Sequence, residues 1–142
     1  MGPDESPGFL LWRLTLRWQR AITATLAPLG LTHVQFVLLA STWWLNDHGE
    51  RPNQLSVARH AETDVKMTSQ VLRKLEEKGL LSREVDPADT RARLLLLTPR
   101  GRELAVRAVA AVERADADFF ATLDDNGTLA TALRTITHPT AP

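Results

Sequence analysis

With 142 residues and 17 Lys and Arg balanced by 17 Asp and Glu, the chain has zero formal charge and is long enough for one domain with its own core. It has no cysteine, which excludes disulfides, thiolate metal sites and a thiol-based peroxide sensor. No run approaches about 18 uncharged apolar residues and no leader-like segment opens the chain, so a soluble, cytoplasmic protein without a membrane partner is expected.

Met1–Ser6 carries Gly and Pro and is expected to fray. From Pro7 a helix is predicted to about Leu26. Its apolar residues Phe9, Leu10, Leu11, Trp12, Leu14, Leu16, Trp18, Ile22 and Leu26 cover more than one face. A helix apolar on two sides must be buried on two sides, and in so small a domain the second partner is expected to be another subunit. Pro28 and Gly30 break this helix. Thr32 then caps a second one through about Asp47, with Val34, Val37, Leu38 and Leu45 in one row and Phe36, Leu39, Ala40 and Trp43 in another. Such an element is central, wrapped on most sides. His48–Asn53 reads as a turn.

Asn53 is placed to cap a short helix, Gln54–Glu62, whose inward residues are Leu55, Val57, Ala58 and Ala61. A short link, Thr63–Asp64, leads to a helix from Val65 to Lys78, capped by Asp64 and stopped by Gly79. Thr68, Val71, Leu72 and Leu75 fall at core spacing, while Lys66, Ser69, Gln70, Arg73 and Lys74 share the opposite face. That face carries cations with a hydroxyl and an amide between them, and its acids, Glu76 and Glu77, come only at the end. Charge runs usually mark a solvated surface. Guanidinium and amide groups, however, are the side chains that pair two-pronged with purine edges in a major groove. The period then changes from helix to strand: Leu80–Asp86 and Arg93–Thr98 flank the turn-forming run Pro87–Ala92, a β-hairpin. Helix, helix, hairpin is a winged helix-turn-helix. Residues 51–102 hold eleven Lys or Arg and seven Asp or Glu, a net of +4 that leaves −4 for the rest, so the positive charge sits on the suspected reading head.

A long helix follows over Arg102–Leu123, with Leu104, Val106, Val109, Val112, Ala115 and Phe119 near a 3–4 spacing. Asp124–Gly127 breaks it, a last helix covers about Thr128–Ile136 with Leu129, Leu133 and Ile136 inward, and Pro139–Pro142 is a tail. The fold expected is mainly α with a small β-hairpin wing, a winged helix-turn-helix with flanking dimerisation helices. Its parts are an N-terminal dimerisation helix (1–31), the DNA-binding region (32–102) and C-terminal dimerisation helices (103–138), in one intertwined domain.

The stretch MTSQVLRKLEEKGLLSREVDPADTRARLLLLTPRG resembles the core of the MarR family of bacterial transcription regulators. The matching pieces are Leu75-Glu76-Glu77-Lys78-Gly79-Leu80, the wing motif Asp89-x-Arg91, and Leu97-Thr98-Pro99-Arg100-Gly101. The resemblance implies that the Val65–Lys78 helix enters the major groove and that Arg91 reaches the neighbouring minor groove. On that basis Ser69, Gln70 and Arg73 are candidates for base contacts, and Lys66 and Lys74 for phosphates. Thr68 would do either or pack, Asp89 would orient Arg91 or Arg93, and Arg93 would touch phosphate. The family often binds small aromatic or phenolic acids in a cleft between its dimer helices and its DNA-binding lobe. Trp12, Arg13, Arg17, His33 and Trp43 are the candidates for such a cleft, an arginine beside an aromatic ring suiting a carboxylate on an aromatic ligand.

The four histidines are scattered without metal-ligand spacing, and neither a nucleophile motif nor a phosphate-cradling glycine loop is present. No cofactor, metal or enzyme activity is expected. The function expected is a homodimeric repressor on a pseudo-palindromic duplex, released by an effector. The alternative is a winged-helix protein-interaction module without DNA binding, which a flat salt dependence would reveal.

Overall fold

The structure, a computed structural model, describes residues 1–123 and 126–138, with the side chain of residue 126 outside that set. Six helices and one hairpin follow in order: α1 (Pro7–Leu26), α2 (His33–Asp47), α3 (Gln54–Ala61), α4 (Val65–Glu77), β1 (Leu81–Asp86), β2 (Asp89–Leu97), α5 (Pro99–Phe119) and α6 (Asn126–Thr137). The fold is therefore mainly α with a two-stranded antiparallel wing. No single helix among the described residues is long and apolar enough to cross a membrane.

Local chemistry sets the helix starts. Thr32 and Gln35 form a reciprocal box, the Gln35 N–H donating to Thr32 Oγ1 at 3.2 Å and the Thr32 N–H to Gln35 Oε1 at 3.2 Å. Asn53 Oδ1 accepts from the Ser56 N–H at 2.9 Å, and Asp64 Oδ2 from the Met67 N–H at 2.8 Å. Each satisfies a donor that has no partner inside its helix, a contribution of about 1 kcal/mol per cap. Pro3–Glu5 forms a 3-10 turn, and Asp4 is paired with Arg13 at 2.9 Å.

Helix α2 is the hub, packed against α1, α3, α4, α5 and β2. Ile22, Leu26, Leu38, Leu39, Val57, Leu72, Leu75 and Leu95 are fully enclosed around it. Each such side chain contributes about 1.5–3 kcal/mol relative to exposure. Asn46, near the end of α2, clamps the wing's base: its Oδ1 accepts from the Leu97 N–H at 3.0 Å and its Nδ2 donates to the Leu95 carbonyl at 3.2 Å.

Several expectations are corrected. Leu55 is exposed at 43 %, whereas Val57 and Ala58 of α3 are buried and Ala61 packs against the core. Helix α3 ends one residue early, with Glu62 in the left-handed region (φ 53°) as the turn of the helix-turn-helix. Helix α5 begins at Pro99, since Thr98 Oγ1 accepts from the Gly101 N–H at 3.0 Å and so serves as its cap. Leu133 and Ile136, expected inward, stand exposed at 48 % and 78 %, no described residue covering that side of α6. Of the break expected at Asp124–Gly127, residues 124 and 125 lie outside the described residues, as does the tail from Pro139, while α6 already begins at Asn126.

The double-faced reading of α1 corresponds to a specific surface. Only Ile22 and Leu26 are buried, whereas Phe9, Leu10, Leu11, Trp12, Leu14 and Leu16 all stand exposed. Six large apolar side chains in eight residues form far more than the scattered singles a surface normally carries.

Candidate nucleic-acid interface

Helix α4 is strongly two-sided. Thr68, Leu72 and Leu75 are buried; Lys66, Gln70, Arg73 and Lys74 are exposed, and Ser69 is half-buried. Among the described residues Lys66, Ser69, Gln70 and Arg73 make no side-chain hydrogen bond or ion pair. Their donors are therefore available without breaking an internal contact. Lys74 meets Glu77 only loosely, at 3.7 Å with both side chains more than half exposed, a pair of little energetic weight. Glu76 leans towards β1, with Arg83 Nε 3.5 Å from its carboxylate, which turns that negative charge towards the wing.

Thr68 does not belong to this surface. Its side chain is fully buried, its hydroxyl 2.7 Å from the Asp64 carbonyl and 2.6 Å from Thr63 Oγ1. It ties the helix start to the preceding turn and cannot reach a groove.

The wing differs from a simple hairpin. Strand β2 starts at Asp89, four residues earlier than expected, after a turn of only Pro87 and Ala88. Its register slips between Val85, paired with Arg93, and Asp86, paired with Asp89. Residues 90–92 are thereby left out of the ladder as a bulge, a device that re-aims a side chain. Arg91 sits in that bulge with its side chain 92 % exposed. Asp89 Oδ1 accepts from the Arg91 N–H at 3.1 Å and from its Nε at 3.4 Å. Asp89 thus brackets the base of Arg91 and leaves the guanidinium's outer nitrogens outward. Arg93 Nη1 donates to the carbonyls of Thr90 (3.0 Å) and Ala92 (3.2 Å), bracing the same bulge.

The five effector candidates are not gathered into one cavity. Trp12 is 64 % exposed, Arg13 is held by Asp4 and lies over the Phe9 ring at 5.1 Å, and Arg17 is exposed. Trp43 packs on the core. His33 instead meets Trp18, ring centroids 5.1 Å apart, and Trp18 Nε1 donates to Asp116 Oδ1 at 2.8 Å. Burial lowers the His33 pKa below 6.5, with the Asp116 charge opposing that shift. A groove of about 280 Å³ opens beside this trio, lined by Leu11, Leu14, Trp18, Asp116, Leu129 and Leu133. Sequence reasoning missed Trp18 and Asp116 as a pair because 98 residues separate them.

Two further residues escaped the sequence. Lys78 enters the sequence reading as one of the eleven cations of residues 51–102, yet its Nζ donates to the Gly30 carbonyl at 2.7 Å and to Gln35 Oε1 at 2.9 Å. Gly101 lies so close to the Leu80 carbonyl that a Cβ would stand 1.9 Å from its oxygen. The Thr-Pro-x-Gly spacing was the only available signal for the second.

Comparison with known proteins agrees with this geometry. A family model described as MarR family matches residues 31–92. The HTH-type transcriptional regulator YdcH of Bacillus subtilis is 47 % identical over 120 residues, covering 84 % of this chain and 82 % of that protein. Among solved structures, BpsR of Bordetella bronchiseptica, whose DNA binding is regulated by 6-hydroxynicotinic acid, superposes with a TM-score of 0.85 at 29 % identity, covering 96 % of each chain. The transcriptional repressor CouR of Rhodococcus jostii, solved on a 23-mer DNA duplex, gives a TM-score of 0.84 at 30 % identity, covering 95 % of this chain and 94 % of that one.

Proposed function

Because the chain belongs to the MarR family of DNA-binding transcriptional regulators, and is a regulator rather than an enzyme, we propose that it acts as a homodimeric repressor. Two copies present their α4 helices to one pseudo-palindromic duplex. Ser69, Gln70 and Arg73 read base edges, Lys66, Lys74 and Arg93 bind phosphates, and Arg91, oriented by Asp89, enters the minor groove. The observation that carries this reading is the outer face of α4, where Lys66, Ser69, Gln70 and Arg73 have no side-chain partner among the described residues, beside an arginine held outward by its own bulge.

The second copy is the occupant that suits the exposed residues Phe9 to Leu16 of α1. Joining the two reading heads places them about 34 Å apart, one turn of the duplex. It also makes the second half-site contact intramolecular, worth about 10²–10⁴ in apparent affinity. Leu14→Glu puts a charge into this face. Sedimentation equilibrium should find wild type dimeric and the variant monomeric at micromolar concentration, and operator affinity should fall by about 100-fold or more. A wild type that is stably monomeric under these conditions contradicts the proposal.

Release is assigned to a small aromatic or phenolic acid that binds one state of the dimer better than the other, as any shift of populations requires. BpsR, whose DNA binding is regulated by 6-hydroxynicotinic acid, supports that class of ligand, and CouR, solved with p-coumaroyl-CoA, supports a phenolic ring though as a CoA thioester rather than a free acid. In this reading Trp12, Arg13, Arg17, His33 and Trp43 meet the ligand in a dimer, where the partner closes the open side of α1. Titration with salicylate-like acids, followed by tryptophan fluorescence and operator affinity together, tests it. A flat response in both removes the effector from the account.

A further inference from the structure

The recognition helix ends at a joint. Within three residues after α4, the chain is tied to both parts of the molecule that flank the reading head. The Lys78 ammonium donates to the Gly30 carbonyl, in the turn leaving α1, and to Gln35 Oε1 on α2. The Lys78 carbonyl accepts from Arg100 Nη1 at 3.3 Å, and the Gly79 carbonyl from Thr98 Oγ1 at 2.7 Å, both at the start of α5. Leu80 lies directly against Gly101.

Of these ties only the Lys78 side chain reaches the turn that joins α1 to α2. It is also the only one that spans 48 and 43 residues of sequence through a charged, multiply donating group. Gln35 Oε1 is shared, since it also accepts from the Thr32 N–H that caps α2. Lys78 therefore fastens the end of the recognition helix to the point where the first dimerisation helix turns into the hub. Two of its three donors are engaged inside the protein, and it sits half-buried, away from the exposed row Lys66, Gln70, Arg73.

We infer that Lys78 is a positioning residue that fixes the tilt of α4 against the helices joining the two copies, and so sets the half-site spacing the protein accepts. The inference rests on the dimeric reading above. A dimer with rigid heads discriminates between spacings because a displaced half-site forces one helix out of its groove. A head freed at this joint swivels and tolerates the displacement. The loss is in the selectivity for spacing, not in the contact that each helix makes.

The test compares wild type, Lys78→Met and Lys78→Arg on a series of duplexes whose half-sites are moved together or apart by one and two base pairs, and on a single half-site. Thermal unfolding confirms that each protein is folded. Wild type should favour one spacing by about 10-fold or more, in keeping with the steepness of rigid-head docking. Lys78→Met should flatten that preference to within about 3-fold while single half-site affinity stays unchanged. Lys78→Arg, long enough to reach both acceptors, should restore it. If Lys78→Met is too unstable to assay, Lys78→Gln, which keeps a hydrogen-bonding end without the reach, should show the same flattening.

A Lys78→Met protein with the wild-type spacing profile overturns the inference. So does one that loses half-site affinity and salt dependence, which would make Lys78 a phosphate contact. A wild type with no spacing preference at all removes the dimeric reading along with the inference. It is distinguished from the other failures because it appears before any substitution is made.

Discussion

Arg73→Ala removes one two-pronged base contact from each half-site, and affinity for the preferred operator is expected to fall by about 1–3 kcal/mol, about 5- to 150-fold, per half-site. Binding to unrelated duplex should fall far less. The guanidinium presents its donors in a rigid fork, and no side chain or carbonyl among the described residues engages them. It stands one helical turn from Gln70 and Ser69, so these side chains address neighbouring base pairs from a single face. Lys74→Ala makes the contrasting case. A lysine on phosphate supplies attraction without sequence information, so its loss should weaken all duplexes alike and reduce the salt slope by about 0.9 per phosphate contact. Competition binding across a salt series separates the two. Equal losses on specific and unrelated DNA for Arg73→Ala would place that residue on the backbone rather than on a base.

The second large effect concerns the joint. Gly101→Ala places a methyl 1.9 Å from the Leu80 oxygen and 2.8 Å from its carbonyl carbon. These are backbone atoms on the segment that links α4 to β1, so neither can swing aside as a side-chain end would. The start of α5 or the strand must shift, and Thr98, which caps α5 and also holds the Gly79 carbonyl, shifts with it. Destabilisation of about 1–3 kcal/mol or more follows from such overpacking. Thermal unfolding should show a midpoint lowered by several degrees. Operator affinity measured well below that midpoint should fall too, because the displaced atoms carry the recognition helix. Gly8→Ala is the control: nothing lies within 4 Å of the added methyl and the residue is helical, so stability should stay level or rise slightly. Equal midpoints for Gly101→Ala and wild type would show that the Leu80–Gly101 approach is looser than described.

Much of this was legible from residue order because the causes are local. Caps at Thr32, Asn53 and Asp64 announce themselves by a hydroxyl, amide or carboxylate just ahead of a helical period. The two faces of α4 follow from spacing alone, as does the excess of apolar residues on α1. Where local cues compete, reading by residue type goes astray. The polar run from Pro87 to Ala92 looks like one long turn, yet a two-residue turn and a bulge accommodate it, and Asp89 supplies the acceptor that shapes the bulge. Leu55 has the right character for a core but the wrong angle on a helix of only 8 residues. Thr68 falls in the inner row and is sealed there by two hydrogen bonds.

What no local cue contained is the long-range wiring. Asn46 grips a strand 49 and 51 residues away, and Trp18 finds its acceptor 98 residues away. Lys78 looks like one more cation on a basic segment until its two acceptors are seen. Polar side chains of this kind signal only that they need partners when buried, not which partners the chain brings to them.

Selection of bound duplexes from a random pool, run in parallel for wild type and Arg73→Ala, bears most directly on whether the outer face of α4 reads double-stranded DNA. Wild type should enrich a near-palindrome with half-sites about one turn apart. Arg73→Ala should keep the symmetry and spacing but lose the preference at one position in each half. Recovery of the same motif at undiminished strength by both proteins, or of no motif by wild type, would contradict the assignment of that face.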